Sequence, residues 1–457
     1  MRRAAVALVA SLLGCGAAPA GAVTSRVFAP VPSPGQPEGV AVETDGTVYA
    51  GTDTAPFGAR PDGTPPSKLF AFNPDGTPKS EWTIQGETPD GTTSYGLFGL
   101  ALDRAGTVYA VEHNPPSVVA IDPRTGAQSV YARFHDVPSC RPANRVTDCS
   151  ITSGDLPAFP YFPVFAPDGT MYVTDIQQAL IWRVRSGGGQ GEVWFTDPRL
   201  EAPSGPHGAQ FKRDGRTLMF ATSAAPTGGG SPGLFTIAVR PDGRSGPLQQ
   251  FWADTDGAAA DGFQIALSGD VWVVASGHGQ LLVLDPQGQE IQRVPTGGDS
   301  QEMPFDDAAN VALYNGHAYV TNHAWRAFNP SHWAVLDVTP AEEGLPYFRP
   351  NATRRQRPTS PGIAPPLRIV LTVSPRRLVA GRRVRLGLRT RVFLGGRLRP
   401  LPGVLVSFAG RRARTGPTGR GRLTVRPRRL GPRSARATLR GYRAGGATVR
   451  VLRRRAR

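Results

Sequence analysis

The sequence predicts an all-β chain, a six-bladed β-propeller followed by a small β-sandwich, and three observations carry that expectation. A hairpin pattern returns six times along the first three quarters of the chain. Its turn glycines, at 46, 106, 169, 215, 269 and 316, lie roughly 45 to 65 residues apart, which suits three- or four-stranded blades with variable loops. After about residue 350 the composition changes abruptly and a second set of short strands begins.

The chain opens with Met1-Arg2-Arg3 and an apolar run of about ten residues from Ala4 to Leu13, too short to span a bilayer but suited to a secretory signal. Ala20-Gly21-Ala22 offers a small-x-small cleavage site, so residues 1–22 read as a signal peptide of an exported protein. Leu12-Leu13-Gly14-Cys15 also resembles a bacterial lipobox, whose Cys15 would carry a lipid anchor. Secreted and surface-anchored forms both stay open. No other stretch is long and apolar enough to predict a membrane span.

Residues 23–345 read as the propeller. Gln36 to Asp53 shows the unit: two apolar runs flank Asp45-Gly46, a dipeptide that tolerates the positive φ of tight hairpin turns. The returns centre on Leu100-Ala101-Leu102, Val164-Phe165, Phe211, Ile265-Ala266-Leu267 and Val311-Ala312-Leu313, each followed by its turn and a second apolar run. A third strand follows each hairpin, from Lys68-Leu69-Phe70 in the first copy to Trp333-Ala334-Val335 in the last. Such radial repetition protects strand edges, and a solenoid of the same period is the alternative. Arg26-Val27-Phe28-Ala29-Pro30 has no blade of its own and is expected to pair with the sixth, closing the ring.

Cys140 and Cys149 share a polar insertion between copies two and three, and in an oxidising compartment they are expected to form a short-loop disulfide. Residues 346–366 turn to Pro, Arg, Ser and Thr and read as a linker. Residues 367–457 read as the sandwich: Arg383 to Val392 alternates one apolar and one basic face. Val404 to Gly410, Thr415 to Gly421 and Gly441-Tyr442 resemble the bacterial immunoglobulin-like and carboxypeptidase-regulatory-like modules of exported proteins.

Charge separates the halves. Residues 351–457 hold 30 arginines and neither lysine nor acid, so the remaining 22 basic residues against 35 acids leave residues 1–350 at −13 within a total of +17. The tail is expected to adhere to an anionic cell-surface polymer. No aromatic ladder or nucleic-acid motif accompanies it, so specific DNA or RNA recognition is not expected. The chain is expected to be a monomer.

Chemistry is expected where the inner strands converge. The residue eight before each turn glycine is Glu38, Phe98, Tyr161, His207, Asp261 or Ala308. Three of these are metal-capable, and Glu38, His207 and Asp261 are each followed by glycine. This pattern resembles the gluconolactonase, senescence marker protein and regucalcin family of six-bladed propellers. That resemblance implies a divalent ion, usually calcium, held by Glu38, His207 and Asp261, with Asp261 also a general base for opening a lactone. His207 in place of the family's Asn brings a nitrogen donor that favours zinc or manganese. Tyr161 stands where the family has a substrate-facing Asn, so Tyr161 and Phe98 point to an apolar or aromatic ester or lactone.

Asn322-His323 and Glu112-His113 end second strands and are further candidates, and Asp306-Asp307 lies beside the sixth ring position. The glycine runs near 186–191 and 228–230 lack a following Gly-Lys-Ser/Thr and read as hairpin loops, and no Gly-x-Ser-x-Gly elbow occurs. The functions expected are an exported metal-dependent lactonase or esterase, or a non-catalytic propeller that binds a ligand or partner.

Overall fold

The computed structural model describes residues 22–53, 66–87, 96–140, 149–150, 156–326, 328–350, 369–394, 397–439 and 444–453. The signal segment, Cys15, most of the linker and much of the disulfide-bearing insertion lie outside them. Among the described residues no helix is long and apolar enough to cross a membrane.

Six sheets form the propeller, antiparallel apart from the short parallel pairings of Ser300–Gln301 with Thr24–Pro30 and of Gly189–Gln190 with Gln128–Arg133. Blade one runs Pro37–Val42, Val48–Thr52, Lys68–Phe72 and Pro78–Thr83, from the inside outward. The inner strands of blades two to six are Leu97–Leu102, Pro160–Phe165, Pro206–Phe211, Ala260–Ile265 and Ala308–Tyr314. Each inner strand packs against those of the two neighbouring blades, and the sixth returns to the first, so the ring is closed.

The closure is the one the sequence predicts. Thr24–Pro30 pairs antiparallel with Ala334–Thr339 and supplies the outermost long strand of blade six. Buried Asp337 fastens it, accepting from Arg26 Nη2 at 2.8 Å and lying 2.8 Å from His317 Nδ1. An unpaired edge is thereby covered from the far end of the chain.

All six turn glycines have positive φ, from 62° at Gly215 to 101° at Gly269. Blade one shows the usual turn: Gly46 N donates to Glu43 O at 2.9 Å while Glu43 N donates to Thr47 O at 2.8 Å, a three-residue loop with a bulged glycine. Blade six differs. Tyr314 pairs directly with His317 across Asn315 (φ 53°) and Gly316 (φ 83°), a two-residue loop. Its glycine lies one residue nearer the ring, so the sixth ring position is Ala309 and not the expected Ala308.

Cys140 and Cys149 form the expected disulfide. In the tail, Ile369–Ser374, Val384–Leu394, Arg397–Pro400 and Arg420–Val425 make one sheet; Arg377–Val379, Leu405–Phe408, Arg411–Arg414, Gly431–Thr438 and Gly445–Leu452 make the other. Both sheets feed one apolar core that includes Leu371, Leu386, Val406, Leu423 and Val449. The alternation forecast for Arg383 to Val392 appears in and just before the strand Val384–Leu394: Leu386, Leu388, Thr390 and Val392 are buried, and Arg383, Arg385 and Arg389 are exposed. The immunoglobulin-like resemblance stays an expectation.

Candidate functional site

The ring position is the second residue of every inner strand: Glu38, Phe98, Tyr161, His207, Asp261 and Ala309. Hydroxyls on neighbouring second strands fix two of these backbones. Thr321 Oγ1 donates to Glu38 O at 2.8 Å and Thr174 Oγ1 to His207 O at 2.7 Å.

The glycine that follows three predicted ligands has a packing cause. Phe98 is followed by glycine too, Gly99. A Cβ at Gly39 would collide with the Phe98 carbonyl; one at Gly99 would come within 2.7 Å of Phe162 Cα, and one at Gly208 within 2.9 Å of Gly262 Cα. Inner strands crowd together at this end of the ring, and glycine permits it whichever side chain precedes.

Tyr161 is the centre of the site. Its hydroxyl bonds Glu38 Oε1 and lies 3.0 Å from Asp261 Oδ1. Blades one, three and five are not neighbours, so the phenol links three alternate blades. The Glu38 carboxylate continues the chain: His323 Nδ1 lies 3.1 Å from Glu38 Oε2, and His323 Nε2 lies 3.3 Å from Asp53 Oδ2. Asp261, Tyr161, Glu38, His323 and Asp53 therefore form one line, hydrogen-bonded through Tyr161 and ion-paired through His323. All but the partly exposed Asp261 are buried.

Burial sets the proton affinities of this line. Asp261 is pushed well above the usual carboxylate range, by desolvation first and by the Glu38 charge second. Glu38 is also raised by desolvation, but His323 and the Tyr161 hydroxyl pull it back. The Tyr161 phenol is driven up by burial and by both carboxylates, so it stays protonated. His323 is raised despite its burial because Glu38 and Asp53 flank it. These directions order the line: Asp261 holds a proton more tightly than Glu38, so Asp261 donates to the Tyr161 oxygen and Tyr161 to Glu38, while His323 is favoured in its charged form between Glu38 and Asp53.

His207 stands beside this line, its ring 4.7 Å from that of Tyr161, edge to face. Burial lowers its pKa to about 4, so it is neutral near pH 7. Nδ1 is 2.6 Å from the Gly205 carbonyl and must carry the ring proton; Nε2 accepts from Ser204 Oγ at 3.1 Å.

The expected metal centre does not form from these side chains. Among the described residues no group of three or more His, Cys, Asp and Glu could hold a metal ion. The Tyr161 hydroxyl occupies the space between Glu38 and Asp261, and His207 is engaged with Gly205 and Ser204. A calcium, zinc or manganese ion on Glu38, His207 and Asp261 therefore does not fit this arrangement.

Other predicted residues fall as follows. Tyr161 bridges carboxylates through its hydroxyl, whereas an apolar substrate contact was expected. Phe98, 4% exposed, packs on Tyr161 and Phe159 with ring centroids 5.1 and 5.2 Å apart, so it braces the phenol from the core. His113 stacks on Phe159, centroids 3.7 Å apart, and Glu112 lies beneath the blade surface, raised by burial and by neighbouring Glu87. Asp306 and Asp307 stay off the ring, engaged with His332 and Arg326. Sequence reasoning ranked His323 below the ring residues and did not find Asp53. Each directly follows a second strand, Val48–Thr52 or His317–Asn322, and only ring closure brings blade six beside blade one.

No protein-family model and no curated protein matches the chain. Several solved structures are similar to it in fold. A calcium-binding protein, regucalcin, from Agrobacterium tumefaciens is 17% identical, with 72% of this chain and 98% of that one covered and a TM-score of 0.49. A gluconolactonase from Xanthomonas campestris is 18% identical over 67% of this chain and 86% of its own, with a TM-score of 0.43. Virginiamycin B lyase from Staphylococcus aureus is 14% identical over 69% and 98%, with a TM-score of 0.43.

Proposed function

We propose that this chain is an exported acyl hydrolase that opens a small lactone or ester at the Glu38 end of the propeller ring, held at the cell surface by its arginine-rich tail. The observation that carries the reading is the Tyr161 hydroxyl between two carboxyl groups of unequal proton affinity. Paired groups whose environments push their pKa values apart divide acid from base work.

Glu38, kept ionised by His323, takes a proton from water as the water oxygen attacks the acyl carbon. Asp261, partly exposed and protonated, gives its proton to the leaving alkoxide oxygen as the acyl–oxygen bond breaks. The two carboxyls then hold each other's starting proton state, and Tyr161 restores it by passing its proton to Asp261 while accepting one from Glu38. His323 and Asp53 hold the Glu38 carboxylate in place and do not touch the substrate. No step runs through a metal ion.

A second reading, ligand binding without turnover, draws on the Tyr161 hydroxyl filling the space between Glu38 and Asp261 and on the burial of Glu38 at 3% exposure. Hydrolysis of a panel of small lactones and aryl esters separates the two. The hydrolase reading expects wild-type turnover that Glu38→Gln and Asp261→Asn each lower by about 10²- to 10⁴-fold, the usual range for a lost proton-transfer group. Binding of panel members without turnover supports the second reading, and turnover indifferent to both substitutions contradicts the assigned roles.

A further inference from the structure

The tail holds a cavity of about 670 Å³ between its two-residue turn Ala409-Gly410 and the segment that follows Arg420–Val425. Phe408 and Ser434 contribute to its wall, and the charged groups on it are Arg426, Arg428, Arg429 and Arg433. All four arginines are exposed.

Main-chain carbonyls hold two of these guanidiniums in place. Arg426 Nε donates to Gly381 O at 2.7 Å and Arg433 Nη2 to Leu430 O at 3.2 Å. Each bond uses one of five N–H donors and leaves most of the fork for a ligand. No side-chain carboxylate is available within the tail, because residues 351–457 contain neither Asp nor Glu. Four like charges around one cavity repel, and two of them are held there by main-chain carbonyls. An anion entering there gains four attractions and removes the repulsion.

We propose that this cavity binds closely spaced phosphate groups, as carried by a polyphosphate chain. Balancing four guanidiniums within 670 Å³ needs several negative charges in a small volume, which adjoining phosphates provide and polymers with one carboxylate per residue do not. The guanidinium fork matches phosphate oxygens two at a time, and the tail uses arginine without a single lysine. The site refines the anchoring role given to the tail above and rests on it.

The test is binding of short inorganic polyphosphate to the full chain by titration calorimetry, with polyglutamate of equal charge as comparator. The site variant is Arg428→Ala/Arg429→Ala/Arg433→Ala. Its control, Arg385→Ala/Arg389→Ala/Arg422→Ala, removes equal charge from exposed positions on the other sheet. The site variant should bind polyphosphate about a hundredfold more weakly, as expected for several lost charge-assisted hydrogen bonds, and the control no more than about threefold. The Arg→Lys triple at the site positions should fall between wild type and the alanine triple. Equal losses in site and control variants, or polyglutamate binding as tight as polyphosphate, would overturn the proposal. If deleting residues 351–457 abolishes surface attachment while the site triple retains polyphosphate binding, the anchoring role stands and the cavity assignment falls.

Discussion

Tyr161→Phe removes one oxygen atom and keeps the ring packing on Phe98 and His207, so its effects report on the two carboxylates alone. A hydrogen bond to a charged group contributes about 1.5 to 3 kcal/mol, and here its loss also leaves the buried Glu38 carboxylate without its Tyr161 donor. The unfolding free energy should fall by about 2 to 3 kcal/mol near neutral pH, measured by chemical denaturation. The deficit should depend on pH with a definite sign. The Tyr161 bond lowers the proton affinity of Glu38, so its removal raises Glu38 further above its unfolded value. Groups with raised folded pKa values contribute stability below the ordinary carboxylate range and lose it as pH rises through the folded pKa. The variant's deficit should therefore be largest at neutral and alkaline pH and smallest near pH 4. In turnover, the acidic limb set by Glu38 should move to higher pH. A deficit equal at all pH values, together with an unmoved activity profile, would refute the shared-proton account.

Further consequences follow from the packing. His207 has a folded pKa of about 4 against an ordinary 6.5, so the stability that depends on its neutrality is complete above 6.5 and lost as pH falls through 4. That difference corresponds to about 3 kcal/mol, and denaturation midpoints of His207→Gln between pH 7 and 4 should show a correspondingly flatter decline than wild type. Gly39→Ala should cost more than about 3 kcal/mol or prevent folding, since its Cβ would meet backbone; soluble protein with an unchanged unfolding midpoint would mean that the inner strands separate freely. Deleting residues 22–30 should remove cooperative unfolding of the propeller, because Ala334–Thr339 would lose its antiparallel partner; calorimetry showing one unchanged transition would deny the closure.

Most of the propeller was legible because its signals are local. A turn glycine at positive φ, flanked by alternating apolar residues, identifies a hairpin without reference to anything distant, and all six hairpins were found this way. The outermost strands gave no such signal: Pro78–Thr83 is exposed at five of its six positions and carries no apolar stripe to read. The ring register followed from counting back to the glycine, and it slipped by one only where Asn315-Gly316 shortened the loop. The tail face was legible for the same local reason, alternation of Leu and Arg along Val384–Leu394.

The site was legible in part. Counting selected Glu38, Tyr161 and Asp261, which do meet, but it could not show that a phenol rather than an ion joins them. Glycine after a carboxylate suggested room for a ligand, whereas Gly99 after Phe98 shows the requirement belongs to the backbone. His323 and Asp53 are far apart in sequence, and their meeting depends on ring closure by Thr24–Pro30, so no local pattern announces it.

The measurement that tests the central claim most directly is the infrared carboxyl spectrum of wild type against Asp261→Asn at pH 7. The account predicts a protonated carboxylic-acid band in the wild type that the substitution removes and that Glu38→Gln leaves in place. Identical spectra in that region would mean that Asp261 is ionised at neutral pH, and the division of acid and base between Asp261 and Glu38 would be wrong.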